Sequence, residues 1–481
     1  MAKSTLWASF KKTLLYRWRF IIAFGLMGLI FTLVIVLMPI ATKLGVSEAE
    51  MISAVDSHHL DLNTLFSGGF INAPYLLLQK LSIHLFGLTF FAIKLPSIIF
   101  GIASGFLIVL LLNRWFTTSV AVIASTLTIS TTGFLFTATT GTPIVSYLFF
   151  LALILWLGSK ILGENNSPLI SAALAATFGI VMYIPYMFYL LLIIVIISFI
   201  HPHLRFTIKT LPTPQLILSI ILFALITAPI IASLVTATAT TLQHLALPHN
   251  LDLMANLKSS LALFAFKNVE NLPILAPIIS LPVALIALGS LILTFKNHHT
   301  SRNYILLSLL AFSVVGLLLA PDLFPIILLP IAILVADGVQ FLMEHWSVVF
   351  PNNSYAKFIG MLPIVIFTVF LSYSSVIYHF YGYRSLKEVN MYYANDLELL
   401  RQSLASSDIV LITDNQLRRD FYRILEDKLQ ISVVDTMPDR VENQVVVFQS
   451  DVDKVQGDLS LKQIVTSATY DDADRLYIFK K

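Results

Sequence analysis

The chain contains no cysteine. Disulfide staples, thiolate nucleophiles and zinc–thiolate centres are therefore excluded. Charge is almost as scarce. Asp, Glu, Lys and Arg make up 12% of the 481 residues, against roughly 25% in soluble domains. The formal net charge of +3 is too small for the basic patch that nucleic acid demands, so no nucleic-acid partner is indicated. No internal repeat with a period of roughly 20–50 residues is visible, which excludes solenoids. What the sequence does have is hydrocarbon: 57% hydrophobic residues and a mean hydropathy of +0.85. Many apolar runs approach the roughly 20 residues needed to cross a bilayer, so the chain reads as a multi-pass membrane protein.

The runs can be taken in order. Lys3, Lys11, Lys12, Arg17 and Arg19 precede an apolar stretch at 20–41. That stretch is longer than a signal-peptide core of about 7–15 residues, so it reads as a retained first span with a cytoplasmic N-terminus. Further spans are predicted at 95–112, 118–136 and 143–159. The run 168–200 is split at Tyr183-Ile184-Pro185-Tyr186, because proline removes a backbone donor and kinks helices. Spans at 214–236, 273–294, 303–320, 324–342 and 358–379 follow, for a total of about eleven. An odd number places the C-terminus outside. Arg114, Lys160, Arg205, Lys209, Lys296, Arg302 and Lys357 all fall on the inner side, as the positive-inside rule requires. The expected location is the plasma membrane.

Composition changes after about residue 380. Seventeen of the 27 acidic residues lie from Glu388 onward. There, helix-like NDLELLRQSL and NQLRRDFYRILEDKL alternate with strand-like DIVLITD, ISVV, QVVVFQ and RLYIFK. The chain divides into a membrane domain at 1–380, with its first outer loop at 42–94, and a small extracytoplasmic α/β domain at 381–481. The fold class is mostly α: a polytopic transmembrane helical bundle carrying that C-terminal domain.

The first outer loop holds four acids, Glu48, Glu50, Asp56 and Asp61. Ser47 followed three residues later by Glu50 is a capping-box pattern, so the loop should open with a short amphipathic helix on the membrane surface. Capping is a structural task for Glu50, and the helix dipole supplies one for Glu48. The functional alternative is a general base at the water–membrane boundary that deprotonates an acceptor hydroxyl; Glu48, Glu50 and Asp56 are its candidates. His58-His59 are adjacent on that helix and point in different directions, so no metal site is indicated. Asp337 is the single acid placed inside a span, which makes it a functional candidate by default. Asp322 sits at an outer turn, where it could face the same cavity as the first loop.

The segment from Asn72 to Gly101 contains Ala73-Pro74-Tyr75, Leu85-Phe86-Gly87 and Lys94-Leu95-Pro96-Ser97. It resembles the polytopic glycosyltransferases of the GT-C fold, specifically glycosyltransferase family 39, which includes protein O-mannosyltransferases and lipid A aminoarabinose transferases. The turn Leu319-Ala320-Pro321-Asp322 leading into a Pro-containing late span adds to the likeness. The resemblance implies transfer of a sugar from a polyprenyl-phosphate carrier to a hydroxyl on lipid, glycan or protein, at the extracytoplasmic face. It implies a catalytic Asp in an Asp-Glu pair opening the first outer loop. That place is occupied by Ser47-Glu48, so Glu48 or Glu50 inherits the role, or the activity is altered or lost. The family's phosphate-binding basic residues are also absent from their turns. Lys94, Lys80, Lys258 and Lys267 are the candidate replacements, since lysine binds phosphate as a point charge. Asp322 and Tyr75 are expected at the cavity. No cofactor is implied, and a divalent metal is left open. The alternatives are a catalytically altered relative acting as a binding or scaffold protein, and a transporter or flippase. Transporters tend to show paired repeats and midplane polar residues, and neither is visible here.

Overall fold

A computed structural model describes residues 19–480, apart from 43–44, 163–166, 246–251, 266–273, 297–299, 350–352, 387–391, 404–408, 427–430, 436, 438–443, 456–458 and 467–474. The N-terminal basic residues through Arg17, together with Lys43, Lys267, His298 and His299, fall outside the described residues. Helix α1 (Arg19–Thr42) comes first. The first loop then builds strand β1 (Val46–Ser47) and helices α2 (Glu48–His59), α3 (Leu62–Phe66) and α4 (Ala73–Phe86). Helices α5 (Phe90–Trp115), α6 (Thr118–Ile129), α7 (Thr132–Thr139), α8 (Val145–Ile161), α9 (Pro168–Val181) and α10 (Met187–Ile200) follow. A short α11 (Pro202–Lys209) precedes α12 (Thr213–Thr236), and α13 (Thr238–Leu245) and α14 (Leu253–Phe264) come next. The helical body closes with α15 (Leu281–Lys296), α16 (Ser301–Leu319), a single 3-10 turn at Pro321–Leu323, α17 (Pro325–Val349) and α18 (Ser354–Ser385).

Among the described residues, five helices are long and apolar enough to cross a membrane, and a sixth span results if α6 and α7 are one crossing bent by 67°. Shorter apolar helices α8, α9, α10 and α15 stand where the remaining spans were expected. The protein is a multi-pass helical bundle. Burial sorts the helices: 67% of the apolar window of α5 and 72% of that of α17 are buried, against 17% in α12 and 11% in α18. α5 and α17 therefore form the packed centre, while α12 and α18 turn apolar side chains outward, as lipid-facing helices do. Close approach at the centre needs a small residue. A Cβ on Gly101 of α5 would collide with the Cβ of Ala138 on α7.

Two expectations are corrected. The span at 118–136 is broken, because Thr131 caps a new helix: its hydroxyl accepts from Phe134 N at 3.3 Å. The span at 273–294 begins only at Leu281. Before it, Ile274 to Ile279 are buried but not helical. Their backbone finds partners outside any helix. Ile278 O accepts from Gly133 N at 2.9 Å, Ile278 N donates to Leu263 O at 2.8 Å, and Tyr378 Oη donates to Ala276 O at 2.7 Å. Irregular backbone at membrane depth is tolerated only where protein satisfies it in this way.

The C-terminal region contains β2 (Tyr393–Ala394), α19 (Asp396–Ser403), β3 (Ile409–Ile412), α20 (Gln416–Glu426), β4 (Ile431–Val434), β5 (Gln444–Phe448), β6 (Ser460–Val465) and β7 (Leu476–Lys480). The five-stranded sheet has the order β4-β3-β5-β7-β6, with β3 parallel to β4 and β5, and β7 antiparallel to β5 and β6. Strand β6 escaped the sequence reading. It is an edge strand with exposed, polar-rich residues, which erases the apolar signal. The region is tied to the first loop by β1–β2 pairing, Val46 with Ala394 and Ser47 with Tyr393. Helix α2 packs between α4 and α20, so its apolar side meets protein where a membrane surface was expected.

Candidate functional site

The capping box forms as the sequence requires. Ser47 N donates to Glu50 Oε2 at 2.9 Å, and Glu50 N donates to Ser47 Oγ at 3.3 Å. The tertiary structure then adds two partners. Gly141 N, in the turn after α7, donates to Glu50 Oε1 at 2.6 Å, and Lys94 Nζ lies 3.6 Å from the same oxygen. Glu50 is fully buried and Lys94 nearly so. Lys94 also donates to Gly45 O at 3.3 Å and sits 5.6 Å from the Tyr393 ring centroid. One carboxylate thus joins the first loop, α5, the α7–α8 turn and, through Tyr393, the strand that carries the C-terminal region. Beside it, buried Gln79 accepts from Ser53 Oγ at 2.7 Å and donates to Ile93 O and Gly141 O, both at 3.1 Å.

The other candidates are dispersed. Glu48 and Asp56 lie on the exposed side of α2; partial burial pushes the Asp56 carboxyl up. Lys80 is committed to Asp61 at 2.8 Å and to Leu60 O at 2.7 Å. That neighbour, through its hydrogen bond first, holds the Asp61 carboxyl below its ordinary value. Tyr75, expected at the cavity, is buried with its hydroxyl 2.8 Å from Ser97 Oγ, because α4 turns that face onto α5. Asp337 is paired with Arg302 at 2.7 Å, a structural partner for an intramembrane acid. Lys258 is exposed on α14. That helix clamps the end of α16, Asn256 Nδ2 donating to Leu318 O and Leu319 O at 3.1 and 2.9 Å.

A cavity of about 750 Å³ opens at the end of the bundle that carries the C-terminal region. Gly68 and Ile71 of the first loop line it, as does the turn at Leu319–Leu323. Its polar lining, among the described residues, is Tyr147, Tyr186, Tyr189, Thr240, Gln243, His244 and Asp322. Three of them are placed by local devices. Tyr186 takes a left-handed φ of 66° at the break between α9 and α10. His244 ends α13, donates from Nε2 to Met182 O at 3.2 Å and meets the Phe70 ring edge-on at 5.0 Å. Asp322 occupies the 3-10 turn between α16 and α17. Its side chain is exposed at the cavity mouth, and the protein around it pushes its carboxyl up by desolvation. Burial pushes the His244 imidazole down, favouring the neutral form. An aromatic wall, neutral hydrogen-bonding groups and one raised carboxylate suit a sugar hydroxyl and a proton transfer. Glu48, Glu50, Asp56 and Tyr75 are not among the lining residues. The tyrosines and His244 were missed because they are far apart in sequence and sit in apolar runs with no motif. Among the described residues no group of three metal-ligating side chains converges.

Comparison with known proteins agrees with this architecture. The family described as dolichyl-phosphate-mannose-protein mannosyltransferase matches residues 74–232. ArnT from Cupriavidus metallidurans bound to undecaprenyl phosphate is similar in structure, with a TM-score of 0.53 at 12% identity, over 95% of this chain and 98% of that one. The apo state of the same protein gives a TM-score of 0.55 at 11% identity, over 96% and 97% of the two chains. The chain therefore has a GT-C-like fold. No curated protein sequence matches it.

Proposed function

We propose that this chain is a membrane glycosyltransferase that moves a sugar from a polyprenyl-phosphate carrier to a hydroxyl of a lipid, glycan or protein acceptor. The reaction is placed in the cavity at the domain-bearing end, on the extracytoplasmic face, with the N-terminus cytoplasmic. The observation that carries the reading is the carboxylate of Asp322 lining a cavity of ligand size, among tyrosines and His244. It is supported by the similar fold of a protein described as bound to undecaprenyl phosphate. In this mechanism the acceptor oxygen attacks the anomeric carbon as its proton passes to Asp322. The bond from that carbon to the phosphate oxygen breaks, and polyprenyl phosphate leaves. Of the lysine candidates, Lys94 is committed to Glu50 and Lys80 to Asp61. Lys258, on the helix that clamps the cavity rim, is the cation assigned to the donor phosphate.

The test is transfer from a polyprenyl-phosphate sugar by the full chain in proteoliposomes. Asp322→Asn should lower turnover by roughly 10²–10⁴-fold, the span of a lost general base, while Glu48→Gln retains activity. Loss in Glu48→Gln with Asp322→Asn unaffected would return the role to the first loop.

A second reading is a lipid-linked-sugar binding protein without transfer. It is favoured by Ser47 in the place of the expected acid and by the burial of Glu50 in a structural pair. Saturable donor binding with no turnover on any hydroxyl acceptor would select it.

A further inference from the structure

A second cavity, of about 810 Å³, lies at the opposite end of the bundle. It is separate from the candidate site. The two share no lining residue, and Tyr186 of the candidate site stacks on Phe312 at 4.5 Å between ring centroids and donates from its hydroxyl to Phe312 O at 2.8 Å. The lower walls are mostly apolar, from α8, α9, α10, α12 and α16, and the cavity lies at the ends of those helices, beside the segments that connect them. Its rim is cationic. Arg114, at the end of α5, donates to Ser159 O at 3.0 Å, and among the described residues this is one of the five N–H groups a guanidinium can offer. Arg302, at the start of α16, is held by Asp337 at 2.7 Å and lies over the Phe116 ring at 4.6 Å, so its charge is shared but its position is fixed. The amphipathic α11 completes the mouth. Leu204 and Ile208 line the cavity, while Arg205 and Lys209 are exposed. Among the described residues, no Asp or Glu lines the cavity. Inside, Ser171 is 7% exposed, and its hydroxyl has no hydrogen-bond partner among the described residues. A buried hydroxyl without a partner is costly, so this one points to a ligand that accepts from it.

From these observations we infer that the lower cavity binds an anionic membrane phospholipid, its tails among α8, α9, α10 and α16 and its phosphate against Arg114 and the α11 cations. An apolar chamber with basic groups at the membrane boundary matches that amphiphile and disfavours both a free anion and a neutral lipid. Ser171 would donate to an ester carbonyl.

The full chain, purified in detergent, partially delipidated and returned to nanodiscs, tests this. The probes are dioleoyl phosphatidylglycerol and dioleoyl phosphatidylcholine, and the readout is lipid retained in native mass spectra. Phosphatidylglycerol should be retained over phosphatidylcholine, and Arg114→Gln should weaken it roughly tenfold, the loss of one charge-assisted contact. Gly158→Leu supplies the second arm. A Cβ at Gly158, which lines the cavity, meets nothing within 4 Å. The variant should therefore fold and exclude the tails. Equal retention of the two lipids, or retention unchanged in Gly158→Leu, overturns the site. Displacement of phosphatidylglycerol by undecaprenyl phosphate, with the same sensitivity to Gly158→Leu, overturns the phospholipid in favour of the carrier.

Discussion

Replacing Glu50 by glutamine isolates the role of the buried pair. At the observed 3.6 Å, an effective dielectric of about 20 gives an attraction of about 4–5 kcal/mol. Desolvation of both ions cancels much of it, so the intact pair is worth little net, whereas breaking it leaves a buried cation and costs about 3–5 kcal/mol. The amide has one accepting oxygen where the carboxylate has two. Either Ser47 N–H or Gly141 N–H loses its partner, adding about 1 kcal/mol. Glu50→Gln should therefore lower stability by about 4–6 kcal/mol. Lys94→Met in the same chain removes the stranded cation and should recover about 2–4 kcal/mol. Unfolding of a membrane protein is commonly irreversible, so the measurement is the fraction remaining monodisperse in detergent after graded heating. The expected order is wild type, then Glu50→Gln/Lys94→Met, then Glu50→Gln. A double variant no better than the glutamine variant would refute the assignment of the pair as the source of the loss.

Other outcomes follow from the same geometry. Gln79→Leu strands Ser53 Oγ and the carbonyls of Ile93 and Gly141, and should cost about 2–4 kcal/mol in the same heating series. Gly45→Ala places a Cβ against the backbone carbonyl of Ala394, which cannot yield without breaking β1–β2. Limited proteolysis should then release the C-terminal region faster, with the helical body intact. The Asp322 carboxyl lies above its ordinary value of 3.8, so the base form is lost as pH falls through that raised value. Transfer should decline on the acid side at a pH above 3.8, and Asp322→Asn should remove the decline along with most of the rate. Lys258→Ala should raise KM for the lipid-linked sugar several-fold with a smaller change in kcat, the sign of ground-state phosphate binding.

The sequence by itself determined the membrane character, because hydrocarbon-length apolar runs leave the chain no other solvent. It determined the break at Tyr183–Tyr186, where a proline must interrupt hydrogen bonding, and the capping box at Ser47 and Glu50, because capping is a contact between residues three apart. It also located the strands β3, β4, β5 and β7, whose buried apolar runs are local signals. Tertiary structure decided the rest. Glu48 and Glu50 are two residues apart, and nothing local says which will be buried. Gly141 and Lys94 decide it, and they reach Glu50 only once α5 and the α7–α8 turn have packed. Asp322 and His244 reach one cavity because α13 and the α16–α17 turn meet there. No sequence periodicity records that encounter, because it is set by helix packing between residues far apart along the chain.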